Sequence, residues 1–202
     1  DIVINAARSG RAVVVLSAMQ GTTDTLIAAA QAARDGDAVY SKSVFELGLR
    51  HTQCAKELVR DGGSYNVITE FIDTSVTELT DLLDGVRLLG ELTDRTLDRL
   101  LSYGEMMSSR IFAAALTSSG IDCQWADSRE LVRTDDHFGN ATVNFPVTER
   151  LISEHINNSS AAVTVMPGFI GCDESGKVTT LGRGGSDYTA AIAAAAIDAD
   201  VL

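Results

Sequence analysis

The residues with the clearest chemical potential lie in a glycine-rich segment near the end of the chain, Thr179–Ala190, which reads TTLGRGGSDYTA. Arg183 is the only cation in this segment, and its guanidinium presents a planar set of donors that matches a carboxylate or a phosphate. Gly184 and Gly185 allow the backbone to turn sharply and to approach a ligand closely. These residue types, in this order, predict a pocket for a small anion.

Ser186 and Asp187 stand where a helix is expected to begin, because residues 188–197 are nearly all good helix formers. A helix start offers unpaired N–H groups and a partial positive charge to an anion. The same residues also suit an ordinary loop followed by a helix cap, so the local pattern leaves both interpretations open. It is neither a Walker loop nor a dinucleotide fingerprint, because the lysine and the third glycine that those motifs need are absent.

Two further segments place polar side chains next to regular structure. Ser17 and Thr23 follow the apolar run Ala12–Leu16 and precede a helical pattern, and small polar residues between a buried strand and a helix are typical of ligand sites in α/β proteins. A plain strand-to-helix turn would look the same. Glu105 follows Gly104 and is predicted to fall in the first turn of a helix, where the helix dipole favours a carboxylate.

Composition narrows the functional classes. The chain has 202 residues, 45% of them hydrophobic, with a net charge of −12. Such a surface repels phosphate backbones and anionic lipids, so we expect neither nucleic acid nor membrane as a partner. The three cysteines, far apart and odd in number, indicate reduced thiols in a cytoplasmic protein and no metal site.

The arrangement of apolar residues predicts the elements that must position these side chains. Ala12–Leu16 and Ala161–Val165 are continuous apolar runs, as in strands covered on both faces. From about residue 43 to 104 the apolar residues recur at helical spacing, with breaks predicted at Gly62-Gly63 and at Asp73–Ser75. The sequence therefore predicts an α/β protein: a three-layer α/β/α sandwich around a mostly parallel sheet, with a helical insertion.

Four segments in the same order resemble one family. They are LSAMQGTTD, SYGEMMSS, PGFIG and TTLGRGGSDYTA, and together they resemble the aspartate kinases of the amino-acid kinase family over nearly the whole chain. The resemblance implies transfer of the γ-phosphoryl group of ATP, with Mg²⁺, to the side-chain carboxylate of L-aspartate. The product would be an acyl phosphate for lysine, threonine and methionine synthesis, made by a homo-oligomer when the protein is full length.

The resemblance also implies roles for the candidate residues. Arg183 would bind a substrate carboxylate and Glu105 the α-ammonium group. Ser17, Thr23 and the backbone of Gly184, Gly185 and Ser186 would fix the remaining carboxylate. Asp187 would order a neighbouring cation or the ammonium group, and with Arg183 it makes up the candidate catalytic pair. We assign no nucleotide-binding or metal-binding residue within this chain.

Two departures from the family pattern lead to alternatives. The opening Lys-Phe-Gly-Gly-Thr-Ser segment of the family, with its phosphate-binding lysine, does not occur in these residues. The Trp-Thr-Asp segment that precedes the nucleotide pocket does not occur either, so we expect the substrate half of a catalytic domain, inactive by itself. A non-catalytic amino-acid-binding or structural fragment is one alternative. A kinase for a blocked amino acid such as acetylglutamate is another, although Glu105 argues against it, because a blocked amine needs no anionic partner.

Overall fold

The computed structural model describes residues 2–202, apart from the side chains of residues 8 and 9. Helices and strands alternate along the chain, except that four helices, α2 to α5, and three strands, β4 to β6, follow one another directly. In chain order the elements are α1 (Ile2–Ser9), β1 (Ala12–Leu16), α2 (Thr22–Arg34), α3 (Val39–Leu58), α4 (Gly62–Leu89), α5 (Asp94–Ser118), β2 (Cys123–Trp125), α6 (Ser128–Leu131), β3 (Arg133–Thr134), α7 (Phe145–Asn157), β4 (Val163–Pro167), β5 (Ile170–Asp173), β6 (Val178–Thr180) and α8 (Gly185–Ala196).

A parallel sheet lies at the centre of the fold, with the strand order β1-β4-β2. All five residues of β4 are buried, as expected for a strand that is covered on both faces. On one face Met166 packs in a cluster with residues of α7 and α8, and on the other Val165 packs with residues of α5 and α1. The predicted three-layer α/β/α arrangement with a parallel sheet is confirmed.

A second small sheet carries the chain to the glycine-rich segment. Its order is β3-β5-β6, with β3 parallel and β6 antiparallel to β5. Strands β5 and β6 form a hairpin with its turn at Asp173–Lys177, and β6 ends at Thr180, just before Gly182. The strands therefore form two sheets, where the sequence predicted one mostly parallel sheet.

The largest cluster of buried apolar side chains lies among the helices α2 to α5. Leu26, Ile72, Leu79 and Leu100, one or more from each of α2, α4 and α5, are almost completely buried in it. The segment predicted to be helical at about 43–104 thus contains α3, α4 and the first part of α5. One of these helices, α5, packs against the turn that follows β1.

The two predicted breaks in this segment have different outcomes. The break at Gly62-Gly63 is confirmed, because α4 begins there, where the carboxylate of Asp61 accepts hydrogen bonds from Gly63 N and Ser64 N. Asp73–Ser75 does not interrupt α4, which continues through it to Leu89. The hydroxyls of Thr74 and Ser75 donate to the carbonyls four residues earlier, which satisfies them inside the helix.

Helix α5 begins ten residues earlier than predicted. Thr93 is its N-cap and accepts a hydrogen bond from Thr96 N at 3.1 Å. Gly104 and Glu105 therefore lie in the middle of a 25-residue helix, and the prediction that they open a helix is wrong.

Candidate functional site

A cavity of about 470 Å³ lies between the end of β1, helix α5 and the loop that joins β6 to α8. All eight residues predicted as site residues line it: Ser17, Thr23, Glu105, Arg183, Gly184, Gly185, Ser186 and Asp187. They come from three segments that are far apart in sequence: the turn from β1 into α2, helix α5, and the loop leading into α8. The volume is in the range of small-molecule sites.

The glycine-rich loop has the backbone conformation that its sequence predicted. Gly182 and Gly184 both have φ of +74°, in the left-handed region that residues with a side chain rarely adopt. Helix α8 begins at Gly185, and Gly184, its N-cap, supplies no side chain to the first N–H groups. Gly185 N donates to Gly182 O at 3.1 Å, and the N–H groups of Ser186 and Asp187 remain available to an anion. Arg183 is exposed beside them, and its guanidinium forms no ion pair with any residue of the 2–202 range.

Close backbone contacts fix the start of α8 against the end of β4. A Cβ on Gly168 would lie 2.7 Å from Ser186 Cβ, and a Cβ on Gly185 would lie 2.8 Å from the ring of Phe169. Phe169 itself has φ of 66°, which is strained for a residue with a side chain. Two hydrogen bonds hold it, from Phe169 N to Thr189 Oγ1 at 3.1 Å and from Leu181 N to Phe169 O at 2.9 Å.

Glu105 reaches the cavity because Gly104 lets two elements approach each other. A Cβ on Gly104 would lie 2.9 Å from Ala18 Cβ and 3.0 Å from Thr22 Cγ2. Without that side chain, the turn between β1 and α2 packs directly on α5, and Ala18 N donates to Glu105 Oε1 at 3.3 Å. The Gly-Glu pair thus serves close packing in the middle of a helix.

The second carboxylate oxygen of Glu105, Oε2, is buried and has no hydrogen-bond partner within the described part of the chain. The residue is only 4% exposed, and burial raises its pKa from 4.5 to about 7. An unpaired buried carboxylate is unfavourable, and a cation placed against it would remove most of that cost. The geometry therefore offers a position for an ammonium group.

The turn after β1 contributes Ser17 and Thr23 to the same cavity. Ser108 Oγ of α5 donates to the carbonyl of Ser17 at 2.7 Å, which anchors the turn. Thr23 lies in the first turn of α2, and the N-cap is Gly21, with φ of 78° and no side-chain hydrogen bond. Because Thr23 does not cap α2, its side chain is left for the cavity.

The sequence analysis missed Asp98, which also lines the cavity. Its carboxylate is 1% exposed and accepts hydrogen bonds from Gly139 N, Thr180 N and Thr180 Oγ1 at 2.7–2.9 Å. Burial raises its pKa despite these bonds. Asp98 precedes Glu105 by seven residues, a spacing that puts both on one helix face, and this spacing was the available signal.

A larger cavity, of about 640 Å³, lies beside the loop with the paired aspartates Asp135 and Asp136. Asp135 is occupied by its own loop: its carboxylate accepts from Thr142 N at 2.9 Å and from His137 N at 3.2 Å. These bonds, that from Thr142 first, lower its pKa to about 2. Within residues 2–202 no three metal-binding side chains converge. We therefore take the smaller cavity, with its unsatisfied carboxylate and free arginine, as the functional site.

A three-layer α/β fold thus carries a glycine-rich loop and a buried carboxylate in one cavity. The full chain, residues 1–202, matches the model of the amino acid kinase family, and the chain belongs to that family. None of the helices in the described range combines the length and apolarity needed to cross a bilayer.

Within the family the chain is similar to aspartokinases. It is 34% identical to lysine-sensitive aspartokinase 3 of Escherichia coli (strain K12) over 201 residues, which cover 98% of this chain and 42% of the relative. It is 38% identical to the chloroplastic aspartokinase 1 of Arabidopsis thaliana over 188 residues, 88% of this chain and 31% of that relative. The chain thus spans less than half the length of these relatives.

Solved structures agree. E. coli aspartokinase III in complex with aspartate and ADP (R-state) superposes with a TM-score of 0.86 and 33% identity, covering 98% of this chain and 42% of that one. The complex of the same enzyme with lysine and aspartate (T-state) gives 0.87 and 33%, covering 98% and 43%. The aspartate kinase of Clostridium acetobutylicum, at 22% identity and 0.72, supports the fold.

Proposed function

We propose that this chain is the amino-acid-binding part of an aspartate kinase, which transfers the γ-phosphoryl group of ATP to the side-chain carboxylate of L-aspartate to give 4-phospho-L-aspartate. The observation that carries the proposal is the unpaired, buried Oε2 of Glu105 in a cavity that also holds the free guanidinium of Arg183. An α-amino acid with a second carboxylate has the complementary charges. The identity to aspartokinases, one of them solved with aspartate and ADP, supports the choice of substrate.

The site residues divide the substrate between them. Glu105 binds the α-ammonium group, since its buried Oε2 has no hydrogen-bond partner among the described residues. Arg183 binds one carboxylate, with a geometry that lysine does not reproduce. Ser17 and Thr23 offer hydroxyls to the other carboxylate.

Two parts of the α8 start complete this assignment. The backbone of Gly184, Gly185 and Ser186 adds donors for the second carboxylate, although Gly185 N already donates to Gly182 O at 3.1 Å. Asp187, in the first turn of α8, orders a neighbouring cation or the ammonium group. It is the candidate catalytic residue beside Arg183.

The reaction needs positioning and charge neutralisation. The side-chain carboxylate of aspartate has a pKa of about 3.9 and is ionised at neutral pH, so no general base is required. One carboxylate oxygen forms a bond to the γ-phosphorus while the bond to the β–γ bridging oxygen breaks, and ADP leaves. Arg183 and the α8 N–H groups reduce the repulsion between the two anions by holding the acceptor in place. Mg²⁺, when bound, would neutralise the phosphates of ATP.

We extend the proposal to the setting of the reaction. The product is the acyl phosphate that begins lysine, threonine and methionine biosynthesis, and the full-length protein acts as a homo-oligomer. The three cysteines are unpaired, which suits a reducing compartment such as the cytoplasm.

The direct test is a kinase assay on the full-length gene product. We expect ADP release that depends on both L-aspartate and Mg²⁺, with an acyl phosphate that hydroxylamine traps as a hydroxamate. Chelation of Mg²⁺ should abolish it. Turnover with N-acetylglutamate and none with aspartate would instead favour a kinase for a blocked amino acid.

A further inference from the structure

Helix α5 contacts both sides of the cavity through two carboxylates on the same face. Glu105 accepts from Ala18 N, in the turn after β1. Asp98, two turns earlier, accepts from Thr180 at the end of β6 and from Gly139 in the loop before α7. Seven residues of helix separate the two by about 10 Å along the axis.

The partners of Asp98 adjoin the loop between β6 and α8, which carries Arg183 and is called the arginine loop below. Thr180 gives two hydrogen bonds to Asp98 and lies three residues before Arg183. Gly139 gives one, and the next residue, Asn140, packs on Gly182, where an added Cβ would meet Asn140 Oδ1. A further bond, from Ala141 N to Thr180 O at 2.9 Å, joins the two segments to each other.

From these contacts we infer that Asp98 is a positioning residue for Arg183, which sets the distance between the arginine loop and the Glu105 end of the cavity. Both oxygens of Asp98 are already engaged by protein donors, so it acts through the loop and does not bind substrate itself. The inference rests on the proposed binding of aspartate by Glu105 and Arg183. It adds a third requirement for binding: the substrate's ammonium and carboxylate are bound together only if Asp98 holds α5 to β6.

The conservative variant separates positioning from charge. In Asp98→Asn the amide oxygen can still accept from Gly139 N and Thr180 N, and the amide nitrogen can donate to Thr180 Oγ1, because a hydroxyl both donates and accepts. Asp98→Ala loses all three bonds. We therefore expect Asp98→Ala to raise the KM for aspartate at least tenfold, while the KM for ATP changes less than threefold. Asp98→Asn should stay within about threefold of the wild type in both.

Asp173 provides a matched control. It is also buried, and it also accepts hydrogen bonds from backbone N–H groups, those of Ser175 and Lys177. It lies on β5, in the same small sheet as Thr180, but does not line the 470 Å³ cavity. Asp173→Ala should lower the Tm by a similar amount and leave the KM for aspartate unchanged. If Asp98→Ala lowers the Tm without raising that KM, its role is only structural and the inference fails. An Asn variant as defective as the Ala variant would also overturn it, because charge would then matter and not position.

If Asp98→Ala does not fold, the variant Thr180→Val provides a second test of the same contact. It removes one of the three hydrogen bonds, and we expect a rise of about threefold in the KM for aspartate. An unchanged KM, and an unchanged Kd for aspartate by calorimetry, would sink the inference. A wild-type protein that neither binds nor uses aspartate would contradict the proposed function itself, and that outcome is distinct from variants that resemble Asp173→Ala.

Discussion

Glu105 and Arg183 are held in opposite ways, and this contrast governs what each contributes at the scale of single residues. Glu105 is buried, with one oxygen bonded to the backbone and one unpaired. Arg183 is exposed on a loop and is free to close over a ligand. On the proposed assignment, the buried anion selects for a cation at a fixed point, and the exposed cation supplies affinity for a carboxylate on a protein of net charge −12.

Replacement of Arg183 by alanine should weaken the binding of aspartate far more than the binding of ATP. Loss of a charge-assisted hydrogen-bonded pair costs roughly 1.5–3 kcal/mol, which corresponds to a rise of about 10- to 150-fold in the KM for aspartate. Arg183→Lys should not restore the KM, since an ammonium lacks the planar fork. Arg150→Ala, which removes an exposed arginine paired with Glu154 on α7, is the control in steady-state kinetics. An unchanged KM in Arg183→Ala would refute the assignment.

The neutral variant Glu105→Gln should lose discrimination for a free α-amine. Activity on aspartate should fall, because the ammonium loses its anionic partner, while activity on an N-acetylated analogue stays near its low baseline. Both substrates are compared by kcat/KM. An equal loss with both would mean that Glu105 supports the structure without binding the amine.

Aspartate affinity should depend on pH through Glu105. Its pKa in the empty cavity is about 7, above the ordinary 4.5, so below pH 7 the carboxyl is mostly neutral and must lose a proton to bind the ammonium. Affinity should therefore fall up to tenfold per unit as the pH drops below 7 and level off above it. The same shift makes the empty protein lose stability as pH rises from about 4.5 to 7. Calorimetric titrations at pH 5.5–8.5 test this, and a Glu105→Gln variant with the same pH slope would contradict it.

At the scale of elements, α5 is the helix that brings the parts of the site together. It packs against the parallel sheet through its second half and against α2, α3 and α4 in the helical layer. Gly104 is the point where the turn after β1 lies closest to it. A glycine in a helix interior costs about 1 kcal/mol in propensity relative to alanine, and here close packing offsets that cost.

Two glycine-to-alanine variants separate propensity from packing. In Gly104→Ala the new Cβ meets Ala18 and Thr22 at 2.9–3.0 Å, so we expect a loss of about 1–3 kcal/mol in the free energy of unfolding and a higher KM for aspartate. In Gly85→Ala, within α4, the new Cβ has open space and should stabilise by up to about 1 kcal/mol. Urea unfolding measures both. Similar stabilisation by the two variants would show that the approach of α5 to the turn is not tight.

At the scale of the whole molecule, the cavity contains the groups for an amino acid but few cations. The three lysines are Lys42, Lys56 and Lys177. Lys42 pairs with Glu46 on the surface of α3, and none of the three lines the 470 Å³ cavity. Phosphoryl transfer needs cations on the moving group as well as on the acceptor.

We therefore expect a protein limited to residues 1–202 to bind aspartate without phosphorylating it. Calorimetry should detect aspartate binding, and a coupled assay with Mg²⁺-ATP should detect no aspartate-dependent ADP release. Circular dichroism confirms that the protein is folded, and the product of the complete gene serves as the positive control. Turnover at an ordinary kinase rate, about 1–100 per second, would overturn this expectation.

Local patterns were sufficient for the features that depend on neighbours in sequence. The apolar runs of β1 and β4 predicted buried parallel strands, because such strands need side chains of one kind on both faces. Both strands are parallel, but only β4 is fully buried, and the five residues of β1 are half-buried. The sharp turn at the glycines around Arg183 and the start of a helix after them were also predicted, since both depend on a few consecutive residues. The division into two sheets was not predicted, because strand pairing is a long-range property.

Only the tertiary structure decided how α5 is used. By local propensity Gly104 reads as a helix start, but its missing side chain serves contacts with Ala18 and Thr22, more than 80 positions away. The partners of Asp98 lie 41 and 82 residues away, and the raised pKa of Glu105 comes from burial by distant elements. Such contacts leave no periodic signal in the sequence, because they depend on which segments the fold brings together.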